Sequence, residues 1–569
     1  MLKLDSKNFQ THYASIFVKA LYSFGLRHVI ISPGSRNTPL TLAFATHQNI
    51  EKHIAVDERS AAFMALGIGK YCDQPAALVC TSGTAPANYF PAIIEAEKSG
   101  VPMIVLSADR GFDETNTGAN QWIDQSNLFG NKAVFFGHAH VRPNNPNDLS
   151  RLNYLAEQTW WSAVHLRGCS HINFPFSKPL EPDTEFLSEL PGFYSDSGEN
   201  TNDKTQAHLS TWHPPISAFE QLNKSKRPII VCGPGTARHP LSDVFELFSS
   251  LDIPILSESG TKPQNSTGKF VYGFNTYLRK SENCESLQPD LIIRFGDEPI
   301  GIGLLNYLKI HSNVPVIHFY DRGNWSNSNF ATETRIVVPN DVIIHPPVVN
   351  NNQMDRTSWL TDWKTAESKF LDFHDNWKFS NDTFRDGDVH KIISESIDLD
   401  EILMISNSFA ARDIDLFGMP GLKDNQIFMN RGASGIDGIT STALGIALAS
   451  RKRVTLITGD LALIHDLSAL VTITNQKSIK LRIVVINNNG GQIFRMLPVF
   501  ASNEYFAHYF ETPQHINVAE VSRALGIKSI CVEHTDDFKN ALSIEDQIVL
   551  IECKTDPSGS MKLRSELWS

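Results

Sequence analysis

Cysteine is scarce and unpatterned in this chain. There are seven among 569 residues, with no Cys-x-x-Cys pair. That excludes a disulfide framework and a four-cysteine zinc site, and leaves reduced structural thiols, Cys80 and Cys232 among them at the ends of strand-like runs. No apolar stretch approaches the length of a membrane span, so no stable membrane insertion is expected. The start, Met1-Leu-Lys-Leu-Asp-Ser-Lys, lacks the apolar core of a secretory signal, and a cytoplasmic location is the expectation. Basic runs are missing too. With 50 Lys and Arg against 62 Asp and Glu, a formal charge of −12, nucleic acid is not expected as a partner.

What is present fits a large globular protein: 41% hydrophobic and 20% charged residues. Short β-branched runs alternate with helical spacing in three successive blocks. The first, 1–190, has strands at 28–32, 76–80 and 102–107 and an Ala-rich helix at 61–70. The second, 205–350, has strands at 228–232, 291–295, 315–319 and 335–338, and the third, 385–569, closes with a strand at 547–552. Polar segments at 195–205 and 350–385 connect the blocks. The fold class expected is α/β, with three tandem Rossmann-like parallel-sheet domains.

The most informative segment is Gly459-Asp460-Leu461, followed 26 residues after Leu461 by Asn487-Asn488-Asn489-Gly490-Gly491. A strand at 454–458, helical spacing at 461–476 and a strand at 482–486 make this a βαβ unit. Both turns then lie at the carboxyl edge of a parallel sheet, where such proteins bind ligands. A carboxylate and an amide facing each other suit a hard divalent ion that also binds a phosphate group. The competing interpretation is a plain polar turn.

Three other stretches stand out. Ile31-Ser-Pro-Gly-Ser-Arg-Asn-Thr-Pro-Leu40 runs from strand to helix start, where amides and Arg36 could grip an anion. Val56-Asp-Glu-Arg-Ser60 places Glu58 at the start of a helix. Gly233-Pro-Gly-Thr236 follows a strand but lacks the full Gly-x-Gly-x-x-Gly pattern and its downstream acid, so it reads as a structural turn and no bound flavin is expected.

The Gly-Asp and Asn-Asn pair resembles the cofactor-anchoring signature of the thiamine diphosphate enzymes, with Leu461 where the general pattern has Gly. The resemblance implies that Asp460, Asn488 and the carbonyl of Gly490 hold Mg²⁺, or Mn²⁺ in its place, and that the ion holds the diphosphate. Asn487 stands as a rival to Asn488. It implies that Glu58, followed by Cys80-Thr-Ser-Gly-Thr, activates the aminopyrimidine ring. The cofactor-binding set would be Thr81, Ser82, Gly83, Asn407, Ser434, Ile436, Gly459, Asp460, Leu461, Asn488, Gly490, Gln492 and Ile493. Ile436 would force the two rings of the cofactor into a V. In these enzymes the two ends of the cofactor are held by different subunits, which implies a homodimer or homotetramer with Glu58 and Asp460 meeting across an interface.

Ser-Pro-Gly-Ser-Arg at 32–36, Ala-Asp-Arg at 108–110, Gly-Ala-Asn-Gln at 118–121, Asn-Arg-Gly-Ala-Ser-Gly-Ile-Asp-Gly at 430–438 and Asn-Asn-Asn-Gly-Gly-Gln-Ile-Phe at 487–494 resemble one branch of that family, active in menaquinone biosynthesis. The branch decarboxylates 2-oxoglutarate and adds the resulting four-carbon unit to isochorismate. Both are dianions, which accounts for the recurring arginines. Ser408, Arg412 and Arg431 would hold the donor's distal carboxylate. Ser35, Arg36, Arg110, Asn120 and Gln121 would receive isochorismate, and Ile493, Phe494 and Leu497 would wall the pocket. The segment between Arg412 and Arg431 carries an inserted residue relative to that pattern. Two alternatives remain: a thiamine diphosphate lyase of the acetolactate synthase or 2-oxo acid decarboxylase type, and a catalytically silent protein that kept the fold.

Overall fold

The computed structural model describes residues 7–142, 145–195, 210–263, 268–322, 325–340, 342–345, 355–380, 382–418, 422, 426–476 and 479–568. Apart from Ser195, the linker expected at 195–205 lies outside the described residues, as do positions 350–354 of the second connection.

Three six-stranded sheets follow one another, each parallel throughout. The first contains β1 (His28–Ile31), β2 (Glu51–Ile54), β3 (Ala76–Cys80), β4 (Met103–Arg110), β5 (Ala133–His138) and β6 (Cys169–Phe176), in the order β2-β1-β3-β4-β6-β5. A two-stranded pair, β7 (Ser210–Trp212) with β14 (Val342–Ile344), brackets the middle sheet. That sheet contains β8 (Pro228–Cys232), β9 (Ile255–Ser257), β10 (Phe270–Val271), β11 (Leu291–Phe295), β12 (Val316–Tyr320) and β13 (Glu333–Val337), in the order β10-β9-β8-β11-β12-β13. The third contains β15 (Ile402–Ile405), β16 (Ile427–Met429), β17 (Arg453–Gly459), β18 (Lys480–Asn487), β19 (Lys528–Val532) and β20 (Ile548–Lys554), in the order β16-β15-β17-β18-β20-β19. Central strands such as β17 and β18 are buried nearly end to end, which is why their sequences read as continuous apolar runs rather than alternations.

In each sheet the strand order reverses near its middle, and the crevice at that point opens at the carboxyl ends of the strands; the first and third sheets also swap their last two strands at one edge. In the first sheet the reversal lies between β1 and β3, so the loops bearing Arg36 and Thr81 share it. In the third it lies between β15 and β17, so the loops bearing Asn407 and Asp460 share it.

The first and third domains are joined by a close helix crossing. Helix Glu58–Cys72 lies against helix Ile439–Ser450, and the contact is built on two glycines. A Cβ at Gly67 would stand 2.1 Å from the Thr442 carbonyl, and one at Gly445 would stand 2.1 Å from that of Met64. A single core then runs through both domains, from Phe63, Met64 and Leu66 to Ile439, Leu444, Ile446 and Leu470. Polar contacts edge the seam: Ser60 with Ser468 at 2.8 Å, Arg59 donating to the His465 carbonyl at 2.7 Å, and Glu95 accepting from the amides of Gly432 (2.9 Å) and Ala433 (2.6 Å).

Two expectations need correction. The helix expected over 461–476 is broken into Asp460–His465 and Ser468–Thr474. Asp466 interrupts it by turning inward to accept from the Ser441 amide (2.8 Å) and hydroxyl (3.1 Å), a tertiary contact that local periodicity does not report. The Ala-rich helix is longer than 61–70, because Asp57 caps it by accepting from the Arg59 amide at 2.8 Å. All seven cysteines are free, and only Cys531 is exposed.

Candidate active site

Asp460 is the first residue after β17 and is buried. Its Oδ1 accepts from the Leu461 amide at 2.9 Å and its Oδ2 from the Gly490 amide at 2.8 Å, so the two expected turns do meet across the sheet edge. Burial pushes its carboxyl up to about 6, against the pull of those two amides. Gly490 has φ +112°, and a Cβ there would lie 2.1 Å from the Glu511 carbonyl, so only glycine fits. Its own carbonyl accepts from the Gln492 amide at 2.8 Å.

The two candidate asparagines are distinguished by their partners. Asn487 commits both ends of its amide to the fold, donating to Glu552 at 2.7 Å and accepting from the Asn489 amide at 3.1 Å. Asn488 donates to Asp386 Oδ2 at 3.0 Å, and among the described residues its amide oxygen accepts no hydrogen bond. Asp386, which sequence reading did not single out, is fully buried between Asn488, the Thr555 hydroxyl (2.6 Å) and Arg564 (2.7 Å). Burial alone would raise its pKa; the Arg564 guanidinium overrides this and holds the carboxyl below its ordinary range. Arg564 also pairs with Asp413. The free oxygen of Asn488, the Asp460 carboxylate and the tight Gly490 turn make a hard-oxygen cradle suited to Mg²⁺ and a diphosphate. Gln492, buried one turn on, donates to Glu511 at 2.8 Å and keeps its own amide oxygen unpartnered.

The second cluster follows β15. Ser408 has φ +67°, a strained conformation for a non-glycine residue, and Arg412 reaches back to its carbonyl at 2.8 Å. Asn407 donates to the carbonyls of Asn430 (2.9 Å) and Gly435 (2.5 Å) and accepts from Arg431 at 2.8 Å, so it shapes the loop that carries Ser434 and Ile436. Ile436 stands 38% exposed. Burial, together with the nearby charge of Arg412, lowers the pKa of both Arg431 and Arg279. Arg279 comes from the middle domain and was not foreseen. Glu258, also from the middle domain, is buried close enough to Arg412 and Arg431 to offset part of their charge. Arg431 also forms part of the wall of a cavity of about 390 Å³ where the three domains meet, with Lys70, Arg238 and Glu258.

The third cluster lies in the first domain. Arg36 is buried, donates to the Phe176 carbonyl at 2.7 Å and pairs with Glu114 at 3.0 Å. Arg110 meets the other oxygen of Glu114 at 3.4 Å and donates to the Asn120 carbonyl. The loops after β1 and β3 touch, since a Cβ on Gly34 would lie 2.4 Å from that of Thr81. Gly83 is held by buried Gln125 at 2.9 Å, and the Gln121 backbone covers it. Ser82 is buried with its hydroxyl unpartnered, whereas Ser35, Asn120 and Gln121 are exposed.

Glu58 is half-buried in the first turn of its helix. Burial raises the pKa of the Cys80 thiol and the Tyr89 hydroxyl, and the charge of nearby Glu58 adds to both shifts. Among the described residues no hydrogen bond or ion pair joins Glu58 to Asp460, Asn488 or Gly490. Phe494 packs edge-on against Phe510, beside the half-buried Ile493, and Leu497 is half-exposed. The Gly233 turn is closed on itself: Thr236 donates to the carbonyls of Gly233 and Phe295, and a Cβ at Gly233 would collide with the Asp297 carbonyl.

Residues 11–128 match the family described as thiamine pyrophosphate enzyme, N-terminal TPP binding domain, and residues 419–553 match thiamine pyrophosphate enzyme, C-terminal TPP binding domain. Similarity to individual proteins spans nearly the whole chain. The 2-succinyl-5-enolpyruvyl-6-hydroxy-3-cyclohexene-1-carboxylate synthase of Bacillus velezensis is 31% identical over 564 residues, covering 98% of this chain and 97% of that protein. The synthases of the same name from Oceanobacillus iheyensis and Trichodesmium erythraeum are 32% and 33% identical, each over 573 residues with the same two coverages. The chain therefore belongs to the thiamine pyrophosphate enzymes and, within them, to the 2-succinyl-5-enolpyruvyl-6-hydroxy-3-cyclohexene-1-carboxylate synthase family.

Proposed function

We propose that this enzyme uses thiamine diphosphate and Mg²⁺ to decarboxylate 2-oxoglutarate and add the four-carbon unit to isochorismate in menaquinone biosynthesis. The observation that carries this reading is the pair of separate arginine clusters, Arg279, Arg412 and Arg431 in one and Arg36 with Arg110 in the other. Two dianionic substrates need two such sites in a protein whose formal charge is −12. When bound, thiamine diphosphate supplies the electron sink for decarboxylation and for transfer of the remaining fragment.

The chain's own residues would divide the work. Asp460, Asn488 and the Gly490 carbonyl would hold the metal, with Thr81, Ser82, Gly83, Ser434, Ile436, Gln492 and Ile493 around the cofactor. Glu58 would hold a proton at the aminopyrimidine ring. Arg412, Arg431 and Ser408 would fix the donor's distal carboxylate. Arg36, Arg110, Ser35, Asn120 and Gln121 would receive the acceptor, beside the apolar wall of Phe494 and Leu497. Fixing both dianions converts a two-substrate encounter into an oriented one.

A dimer or tetramer completes the reading. Glu58 has no link to the Asp460 cradle among the described residues, and apolar side chains stand open on both halves: Val56 at 74% exposure beside Glu58, and Leu497, Tyr505 and Tyr509 at 50%, 56% and 66% beyond the Gly490 turn. Patches of this kind mark interfaces.

The test is product identification. The full chain is incubated with thiamine diphosphate, Mg²⁺, 2-oxoglutarate and isochorismate, and the product is weighed by mass spectrometry. The expected product has lost CO₂ and requires both acids; carbon–carbon coupling of a smaller 2-oxo acid instead would overturn the assignment. Replacing Glu58 with Gln should stop turnover while thiamine diphosphate and Mg²⁺ still bind.

A further inference from the structure

We propose that His28, Glu51 and His53 form a second metal site, for a transition ion of the Zn²⁺ type, at the edge of the first sheet and apart from the cofactor cradle. His28 opens β1 and Glu51 opens β2, the edge strand, and the two are direct partners in the parallel register. His53 is two residues beyond Glu51, so all three side chains stand on one face. His28 and Glu51 lie at the amino ends of their strands, with His53 two residues on, while the loops bearing Arg36 and Thr81 leave the carboxyl ends.

The spacing of the donor atoms is that of a coordination sphere. His28 Nδ1 is 3.4 Å from His53 Nε2 and 3.8 Å from Glu51 Oε2. The three donors lie within 4.8 Å of one another. Ligand bonds of about 2.1 Å at a tetrahedral angle separate neighbouring donors by roughly 3.4 Å, so these atoms can close on a common centre with small side-chain adjustments. Two imidazoles and one carboxylate suit Zn²⁺, Co²⁺ or Ni²⁺ rather than the all-oxygen preference of Mg²⁺.

The surroundings favour the ligating forms. Burial lowers the pKa of both histidines, His53 to about 4. The other oxygen of Glu51 accepts from Arg451 at 2.6 Å. That guanidinium, at the end of helix Ile439–Ser450, orients the carboxylate as outer partners orient metal ligands. An ion here would fasten β1 to β2 at the edge of the first domain's sheet. Cys72 lies close enough to feel the charge of Glu51, but its sulfur is not among the donor atoms that come together here.

The test is titration of the full-length enzyme, saturated with thiamine diphosphate and Mg²⁺, with Zn²⁺ by calorimetry, and with Co²⁺ by absorption spectroscopy. One equivalent of Zn²⁺ is expected in the wild type, with a four- or five-coordinate Co²⁺ spectrum and a raised unfolding temperature. His53→Gln should abolish the equivalent. Glu51→Gln, at an exposed position that does not threaten folding, should weaken it about tenfold or more, and Arg451→Gln should weaken it less. Equal Zn²⁺ binding by wild type and Glu51→Gln, or no bound equivalent in the wild type, would overturn the assignment.

Discussion

Asp386 and Asn488, 102 residues apart, are joined by one hydrogen bond of 3.0 Å that fixes which end of the Asn488 amide faces the cradle. Because Asp386 is itself held by Arg564 and Thr555, a flipped amide would set its oxygen against a fixed, buried carboxylate oxygen. Asn488→Ala should therefore reduce Mg²⁺-supported thiamine diphosphate binding by 10- to 100-fold. Asn487→Ala should leave that binding largely intact and instead cost about 1–3 kcal/mol of stability, because Glu552 loses a partner in the core. Calorimetric cofactor titration beside chemical denaturation separates the two; the reverse pattern would exchange their roles.

Glu114 offers its two oxygens to Arg36 and Arg110, as an incoming carboxylate would. On the proposed reading it must yield when the acceptor binds. Glu114→Gln keeps the shape and removes the competing charge, so KM for isochorismate should fall by about fivefold, roughly 1 kcal/mol, with kcat little changed. A rise in KM would mean that Glu114 positions the arginines instead of occupying them.

On the proposed reading Asp460 holds the metal as a carboxylate, and burial lifts its pKa to about 6. Proton and metal then compete, so apparent Mg²⁺ affinity should be flat above pH 6 and fall about tenfold per pH unit below it. The stability linkage of the metal-free protein runs the other way. A carboxyl raised above its unfolded value favours the folded state while protonated, and that contribution is lost as pH rises through about 6. Asp460→Asn should remove its share of this pH dependence in thermal unfolding of the metal-free chain.

Gly67→Ala should be costly. Its methyl would meet the Thr442 carbonyl at 2.1 Å, and backbone cannot move aside as a side chain can. We expect a loss of about 1–3 kcal/mol in denaturant unfolding. Gly192→Ala, in helix Thr184–Ser195 with nothing within 4 Å of the added Cβ, should be neutral or stabilising by up to about 1 kcal/mol.

Parts of the site were legible because they are local. The Asp460 and Asn488 turns sit at the two ends of one βαβ unit, whose apolar runs fix strand and helix, so spacing alone brings them to one edge. Arg36, Arg110, Arg412 and Arg431 stand out as candidates through the motifs that contain them. Asp386 and Arg564 were not, because 178 residues separate two side chains whose meaning lies in their contact. Glu114 and Arg279 were missed for the same reason: a lone carboxylate on a loop and a lone arginine in the middle domain carry no period or spacing. The break at Asp466 was missed because apolar spacing continues through it, and only Ser441, on another helix, explains the interruption.

The glycine crossing has a consequence for how the chain can be taken apart. Gly67 and Gly445 bring two backbones so close that the first and third domains share one hydrophobic interior, while the middle domain keeps cores of its own. Excising either outer domain would turn the Phe63–Leu66 or the Ile439–Ile446 face outward. Each would then be an aggregation-prone fragment rather than a module, so truncation or recombination that separates them should yield insoluble protein, whereas exchange of the middle domain leaves that shared interior whole.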